Sequence, residues 1–319
     1  MAGRVVAFEG NIGVGKSTLC GKLESLFHAE CALYKEQGSE AFLRLFYADP
    51  AKYGFAYQWG MLKTRRFQLA LAERDHTYGR VPPKKLYFWD RSMLGDYVFA
   101  LWNHLLGGIS REEMDVYEDE FGGTLARMRG VPFLRDGVVE RYILLDDEPR
   151  ACKDRVERLR RNASEADIPL SYYEGIDDIH FELFVKRLLI DGGRVGVTVL
   201  PWGTYDDAET VWHNVDAGKL PLAKARRAIA GMAQPTHHFA AVNYATERDI
   251  NNAYAIGRDN LPVFAGAVIY VKEDMCVVAP KTKGVAAEAA AAYGIMFHTN
   301  AYKRVVLWHL ARGETVIFY

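Results

Sequence analysis

The stretch Val5-Val6-Ala7-Phe8-Glu9-Gly10-Asn11-Ile12-Gly13-Val14-Gly15-Lys16-Ser17-Thr18-Leu19 decides the fold. Gly10, Gly15, Lys16 and Ser17 meet the pattern G-x-x-x-x-G-K-[ST] at every fixed position. The apolar run Val5–Phe8 predicts a buried strand before the loop, and Leu19–Phe27 predicts a helix after it. Strand, glycine loop and helix together make a phosphate cradle, in which backbone N–H groups and the helix N-terminus hold phosphate oxygens. Glycines at 13 and 15 let the backbone come close to those oxygens. Lys16 would neutralise the β- and γ-phosphates of a nucleotide, and the Ser17 hydroxyl would ligate Mg2+.

Outward from this loop, four more apolar, β-rich runs recur between helical segments: Cys31–Lys35, Leu86–Asp90, Arg141–Leu145 and Val195–Leu200. With Arg4–Glu9 they predict five strands joined by helical crossovers, hence an α/β fold with a parallel sheet covered on both faces. Functional groups belong beyond the carboxyl ends of such strands. Glu9-Gly10, Glu36 and Asp90-Arg91 fall there. Helices are expected over Phe55–Asp75, Ser92–Leu106, the segment opened by Ser110-Arg111-Glu112-Glu113, Pro149–Asn162, Tyr172–Asp191 and Asp206–Asp216. Ser92 is a plausible N-cap, and Ser110 with Glu113 reads as a capping box.

Half of the 319 residues are hydrophobic, a quarter are charged and the formal net charge is −1. This is ordinary globular composition, and it gives no basis for a nucleic-acid coat or a polybasic membrane patch. No apolar run is long enough to span a membrane. The N-terminus has too few apolar residues for a secretory signal and lacks transit-peptide character, so a cytoplasmic protein is expected. Cys20, Cys31, Cys152 and Cys276 are scattered and read as reduced thiols.

Gly218-Lys219-Leu220-Pro221 reads as a linker, dividing a domain over 1–218 from a small α+β appendage over 219–319. In the appendage Ala265–Val271 and Met275–Ala279 predict a hairpin. Ala286–Phe297 and Lys303–Ala311 read as helices, and Thr315–Tyr319 as a terminal strand.

The loop does not name a reaction. A guanine-reading [NT]-K-x-D is missing: Thr282-Lys283-Gly284-Val285 lacks the Asp, which argues against a switch GTPase. A small-molecule kinase needs a carboxylate for the acceptor hydroxyl, cations for the transferring phosphoryl and a segment that excludes water. Glu36 is the candidate base, with a solvated loop carboxylate as the alternative. Asp90 and Arg91 suit metal and phosphate contacts, or else form an ion pair beside a helix cap. Arg155, Arg158, Arg160 and Arg161 make either a lid over ATP or a solvated basic face.

These residues carry a resemblance to the deoxynucleoside kinases. Gly10-Asn11-Ile12-Gly13-Val14-Gly15-Lys16-Ser17-Thr18 resembles that family's G-N-I-G-x-G-K-[ST]-T, and Asp90-Arg91-Ser92 its [ED]-R-S. Leu45-Phe46-Tyr47-Ala48-Asp49-Pro50 resembles its L-M-Y-x-D-P, and Ala56-Tyr57-Gln58 its x-F-Q. The run from Arg160 to Leu170 resembles its lid sequence ending in I-P-L. The five motifs lie in order over about residues 3 to 216 and leave the appendage uncovered.

The resemblance implies a three-layer P-loop kinase fold, ATP and Mg2+ as donor and cofactor, a homodimer and deoxynucleoside salvage. It implies that Glu36 takes the 5′-hydroxyl proton, that Arg91 holds the hydroxyl or phosphate and that Asp90 helps hold Mg2+. Tyr47 and Glu165 would bind the sugar 3′-hydroxyl, Gln58 would read the base edge and the lid arginines would clamp ATP. Family members preferring deoxycytidine and purine deoxynucleosides carry an Arg–Asp pair at the positions of Arg65 and Asp96, which thymidine-preferring members lack. Deoxycytidine, deoxyadenosine or deoxyguanosine is therefore expected ahead of thymidine. Two departures stand out: Gln37-Gly38 replaces the usual Pro after the catalytic Glu, and the lid is about one residue longer. The rivals are a thymidylate-kinase-like monophosphate kinase and a nucleotide-binding regulatory module acting through the appendage. Asn11-Ile12 and Ser92 argue against the first, and Lys16, Ser17, Glu36 and Arg91 together argue against the second.

Overall fold

The computed structural model describes residues 4–78, 82, 84–128, 139, 141–159, 165, 168–189, 196–227, 268–272, 275–279, 295–298 and 301–318. Two compact units emerge. One comprises Met1–Phe184 and Val195–Leu220, the other Val185–Arg194 and Pro221–Tyr319.

The first unit is built on β1 (Arg4–Glu9), β2 (Cys31–Tyr34), β3 (Leu86–Asp90), β4 (Arg141–Asp146) and β5 (Gly196–Pro201). They form one parallel sheet in the order β2-β3-β1-β4-β5. The phosphate-loop strand β1 is thus central, paired with β3 from Arg4↔Leu86 to Phe8↔Asp90. Near-continuous hydrophobicity follows from burial on both faces. Val5, Ala7, Tyr87 and Trp89 pack with Leu62, Leu69, Met93, Ala100, Met114 and Tyr117. Those partners come from α3 (Pro50–Thr77), α4 (Met93–Leu105) and α5 (Arg111–Met128). On the other face Phe88 meets Trp212 edge-on, and Trp212 stacks on Phe27 at 4.4 Å. These two residues belong to α8 (Ala208–Asp216) and α1 (Lys16–Phe27). Each large apolar side chain buried this way contributes about 1.5–3 kcal/mol.

The helix starts follow their caps. Ser92 Oγ accepts from the Leu94 and Gly95 N–H groups, and Asp207 caps α8 the same way. Ser110 and Glu113 form the expected reciprocal box, at 2.8 and 3.2 Å. Helix α2 (Glu40–Ala48) is not singled out by the sequence pattern, although Ser39 caps it and Glu40 sits in its first turn. Helix α6 (Pro149–Leu159) is described as far as Leu159, so the expected extension to Asn162 lies outside the described residues. The helix expected over Tyr172–Asp191 differs: α7 (Leu170–His180) runs into a π-helical segment, Phe181–Leu189.

The second unit has β6 (Lys224–Arg227), β7 (Val268–Lys272), β8 (Met275–Ala279), β9 (Ile295–His298), α9 (Ala301–Ala311) and β10 (Thr315–Phe318). Its sheet is mixed, in the order β6-β10-β7-β8-β9. β10 lies parallel to β6 and β7, while β7–β8 and β8–β9 are antiparallel. Val306, Leu307, Leu310, Val316 and Ile317 are buried there. The helix expected over Ala286–Phe297 is corrected at its end. Ile295–His298 is a strand, because β-branched and aromatic residues there pair with Met275–Val278 of β8. Residues 286–294 lie outside the described set.

Candidate active site

A cavity of about 690 Å3 opens at the carboxyl end of the parallel sheet. Of the residues singled out by sequence, Ile12, Gly13, Gly15, Lys16, Ser17, Thr18, Glu36, Tyr47, Gln58, Arg91, Asp96, Arg155 and Glu165 line it. Five of the described helices and the ends of four parallel strands, β1, β2, β3 and β5, contribute to it, as expected where parallel strands finish.

The phosphate loop is held from outside. Asn11 Nδ2 donates to Tyr173 O at 2.8 Å, its Oδ1 accepts the Ile12 N–H, and Tyr205 OH donates to Val14 O. Gly13 has φ 73°, and a Cβ there would meet Cys152 O at 2.5 Å, so glycine is required. Lys16 is buried, and its Nζ donates to Gly10 O and Asn11 O, both at 2.8 Å. Burial pushes its ammonium down to about 7, with Arg91 adding to the effect against the pull of Asp90, Glu36 and Glu9.

Arg91 is the only described non-glycine residue with positive φ, 66°. That conformation costs about 1–2 kcal/mol for an L-residue. It sends the guanidinium to three partners: Glu36 Oε2 at 3.5 Å, Gly10 O at 3.3 Å and the Phe99 ring at 4.3 Å. Glu36 remains 35% exposed toward the cavity. Desolvation by the cavity walls raises its carboxyl, but Arg91, Arg65 and Lys16 outweigh this and hold it below the ordinary value. A carboxylate kept ionised suits a base.

Farther from the loop, Arg65 and Asp96 form a buried pair, 1% and 2% exposed, with Nε–Oδ2 at 2.9 Å. Arg65 Nη2 also donates to Asp90 O at 3.0 Å. Burial opposes the guanidinium charge, and Asp96 and Glu36 together keep Arg65 protonated. Arg65 does not itself reach the lining; Asp96 presents the pair to the cavity. Beside it Gln58 is 2% exposed, and its amide has no hydrogen-bond partner among the described residues. A buried amide without partners awaits a ligand that both donates and accepts. Tyr57 stacks on Phe46 at 5.1 Å, and Tyr47 meets Tyr172 edge-on.

The arginine-rich segment divides. Arg155 Nε donates to Gly13 O at 2.8 Å, its Nη1 pairs with Asp147 at 2.6 Å, and its guanidinium covers the Trp202 ring at 3.8 Å. Arg158 is exposed, donates to Asp154 O and does not line the cavity. Arg160 and Arg161 lie outside the described residues. Gly10, Asn11, Val14 and Asp90 support the lining from behind rather than joining it.

The deoxynucleoside kinase family model matches residues 6–208. The chain belongs to the deoxynucleoside kinase family. It is 28% identical over 218 residues to a deoxyguanosine kinase of Dictyostelium discoideum, covering 67% of this chain and 69% of that one. It is 27% identical to a deoxyadenosine kinase of the same organism, covering 68% and 80%. A solved deoxyadenosine kinase from M. mycoides superposes with a TM-score of 0.51 at 21% identity, covering 67% of this chain and 99% of that one, which shows the shared fold. The fold is the expected P-loop kinase arrangement.

Sequence reasoning gave no role to several residues that this kinase brings to the site. Trp202, Tyr205 and Asp206 line the cavity just after β5, and Phe99 and Tyr57 line it from α4 and α3. The rule that sites lie beyond strand carboxyl ends already pointed at Trp202. Glu9, the last residue of β1, is buried behind Arg91. No helix among the described residues is long and apolar enough to cross a membrane.

Proposed function

We propose that this kinase transfers the γ-phosphoryl of ATP to the 5′-hydroxyl of a deoxynucleoside, as a step of nucleotide salvage. Deoxycytidine and purine deoxynucleosides are its favoured acceptors over thymidine. The observation that carries this reading is the cavity itself: one continuous space joins Lys16 and Ser17 to Glu36 and Arg91, and those to Gln58 and the Arg65–Asp96 pair. The deoxyguanosine and deoxyadenosine kinases among its relatives agree with the acceptor class.

Loop N–H groups and Lys16 bind the donor phosphates. Glu36 accepts the proton of the 5′-hydroxyl, and Arg91 balances charge on the transferring phosphoryl. Gln58 reads the base edge with donor and acceptor together, and Asp96, fixed by Arg65, sets its polarity. Tyr47 and Glu165 hold the 3′-hydroxyl. Arg155, already against the loop, closes the donor side.

The residues present fit Mg2+. Asp90 Oδ1 is buried without a hydrogen-bond partner among the described residues, and Ser17 stands on the cavity wall. No three His, Cys, Asp or Glu side chains cluster among the described residues, so substrate oxygens and water would complete the shell. Phosphate charge would be neutralised by Mg2+ held at Ser17 and Asp90.

The test is a panel of the four deoxynucleosides and their monophosphates with ATP and the full-length protein. Turnover of deoxycytidine, deoxyadenosine or deoxyguanosine ahead of thymidine is expected. Turnover of monophosphates alone, or ATP binding without any turnover, would overturn the reading.

A further inference from the structure

We infer that Glu9 is a positioning residue for Arg91: its carboxylate locks the Arg91–Ser92 peptide, which holds the left-handed turn that aims the guanidinium at Glu36. The inference deepens the proposed function and rests on the phosphoryl-transfer role given there to Arg91.

The backbone on both sides of Arg91 is tied to the last two residues of β1. The Arg91 N–H donates to Phe8 O at 3.0 Å, which extends the β1–β3 ladder by one bond. The next N–H, that of Ser92, turns away from the ladder and donates to Glu9 Oε1 at 2.8 Å. Between these two fixed points Arg91 takes φ 66°, a conformation that persists only where its surroundings over-determine it. The side chain of Glu9, not the sheet, supplies the second constraint.

The first turn of α4 is shaped around this contact. A Cβ on Gly95 would lie 2.1 Å from Glu9 Oε2 and 2.5 Å from Arg91 Cγ. A residue with any side chain at 95 would therefore push on both partners at once. Glu9 is fully buried, and burial pushes its carboxyl up to about 7 against the pull of Arg91 and Ser92. Removing the carboxylate alone would leave the Ser92 N–H without its buried acceptor and the Arg91 guanidinium without a neighbouring negative charge.

A buried carboxylate that supports a strained turn under a functional side chain reads as part of the mechanism. Ser92 then has two duties on its two polar groups: its N–H holds the turn, and its hydroxyl caps α4. Arg91 Nη2 reaches Gly10 O, one residue beyond Glu9, so the loop and the arginine share one anchor.

The test compares steady-state kinetics of the full-length wild type, Glu9→Gln, Glu9→Met, Arg91→Ala and the Glu9→Met/Arg91→Ala double variant. Glu9→Met keeps the volume and loses the acceptor, so kcat should fall roughly 10²-fold for a misaimed group. Both KM values should hold, while the melting temperature should fall as the Ser92 N–H and Arg91 lose a buried partner. Glu9→Gln keeps an acceptor oxygen and should stay within about fivefold of wild type, since a neutral hydrogen bond is only about half as strong. The double variant should match Arg91→Ala within about twofold, because residues acting as a unit are not additive. If Glu9→Met does not fold, Gly95→Ala reaches the same contact from α4 and should lower kcat with KM held. Additive losses, an active Glu9→Met variant, or a Glu9→Gln variant as impaired as Glu9→Met would overturn the inference. A wild type that phosphorylates no nucleoside would instead sink the proposed function and leave every variant equally silent.

Discussion

The two ends of the cavity are held together by different physics. At the loop end the cations rest on backbone carbonyls of the loop: Lys16 on Gly10 O and Asn11 O, and Arg155, which also pairs with Asp147, on Gly13 O. All but Arg155 and Asp147 lie within seven consecutive residues. At the Gln58 end side chains from distant elements join backbone acceptors such as Asp90 O and Gly10 O, or the group has no described partner. Arg65 pairs with Asp96 from another helix, Arg91 leans on Glu36 from another strand end, and Gln58 has no described partner. A local end can be rearranged by an arriving phosphate without disturbing the core. A long-range end must be preformed, because its charges are set against one another from separate elements.

The sharpest way to break this comparison is chemical. Glu36→Gln should lower kcat by about 10²–10⁴-fold, the range for losing a general base. ATP affinity should be nearly unchanged, since the loop end is separately held. Single-turnover kinetics with direct nucleotide binding would check it, and a matching loss of ATP binding would show that the ends are one unit.

The next effect is on stability. Arg65→Ala leaves Asp96 buried and unpaired, which should cost about 3–5 kcal/mol in denaturant unfolding. Replacing both partners together, Arg65→Met with Asp96→Leu, should recover most of that stability while nucleoside turnover stays lost. If the double replacement turned over nucleoside normally, the pair would be structural only.

The same contrast explains what could be read from the sequence. The loop end is contiguous, so four fixed letters and the flanking periodicity were enough to place it. Strands Arg4–Glu9 and Leu86–Asp90 were legible to the residue, because burial on both faces leaves an unbroken apolar run. Glu36 and Asp90-Arg91 were legible by position, at strand ends. Gln58, Tyr47, Glu165 and the Arg65–Asp96 pair were reached only through resemblance: no local pattern says that residues 31 positions apart will form a buried ion pair. Trp202 was missed because an aromatic after a strand has no short-range signature. Helix α2 has no place in the sequence reading, since nine residues between two unrelated motifs are too short a segment to stand out. The strand Ile295–His298 was misread because its pairing with β8 outweighs the helix preference of the alanines before it.

Trp202 tests the loop end more gently. Its ring lies 3.8 Å beneath the Arg155 guanidinium. Trp202→Ala should free Arg155 and weaken ATP binding by about 0.5–2 kcal/mol, the range of such contacts. The KM for nucleoside should not move. A change in nucleoside KM of similar size would show that the platform serves both ends.

The effect that needs no substitution concerns protons at Lys16. Burial holds its ammonium near 7 in the free protein, well below the usual lysine value of 10.5. At pH 8 the free site is therefore mostly neutral at this position. Triphosphate oxygens favour the charged form, so nucleotide binding should take up a proton between pH 7 and 10. Affinity should then weaken as pH rises through that window, by at most about tenfold per unit. For the free protein the sign is opposite: the unfolded chain binds the extra proton, so stability should rise with pH from about 7 toward 10.5. Calorimetric titration of ATP at pH 8, in buffers of different ionisation enthalpy, separates proton uptake from binding heat. Lys16→Met should abolish the uptake, and an uptake that survives this substitution would assign the proton to another group. Nothing comparable is expected at the Gln58 end, where Arg65 and Glu36 are already held in their charged forms. Proton uptake on adding deoxynucleoside alone would therefore count against a preformed acceptor side.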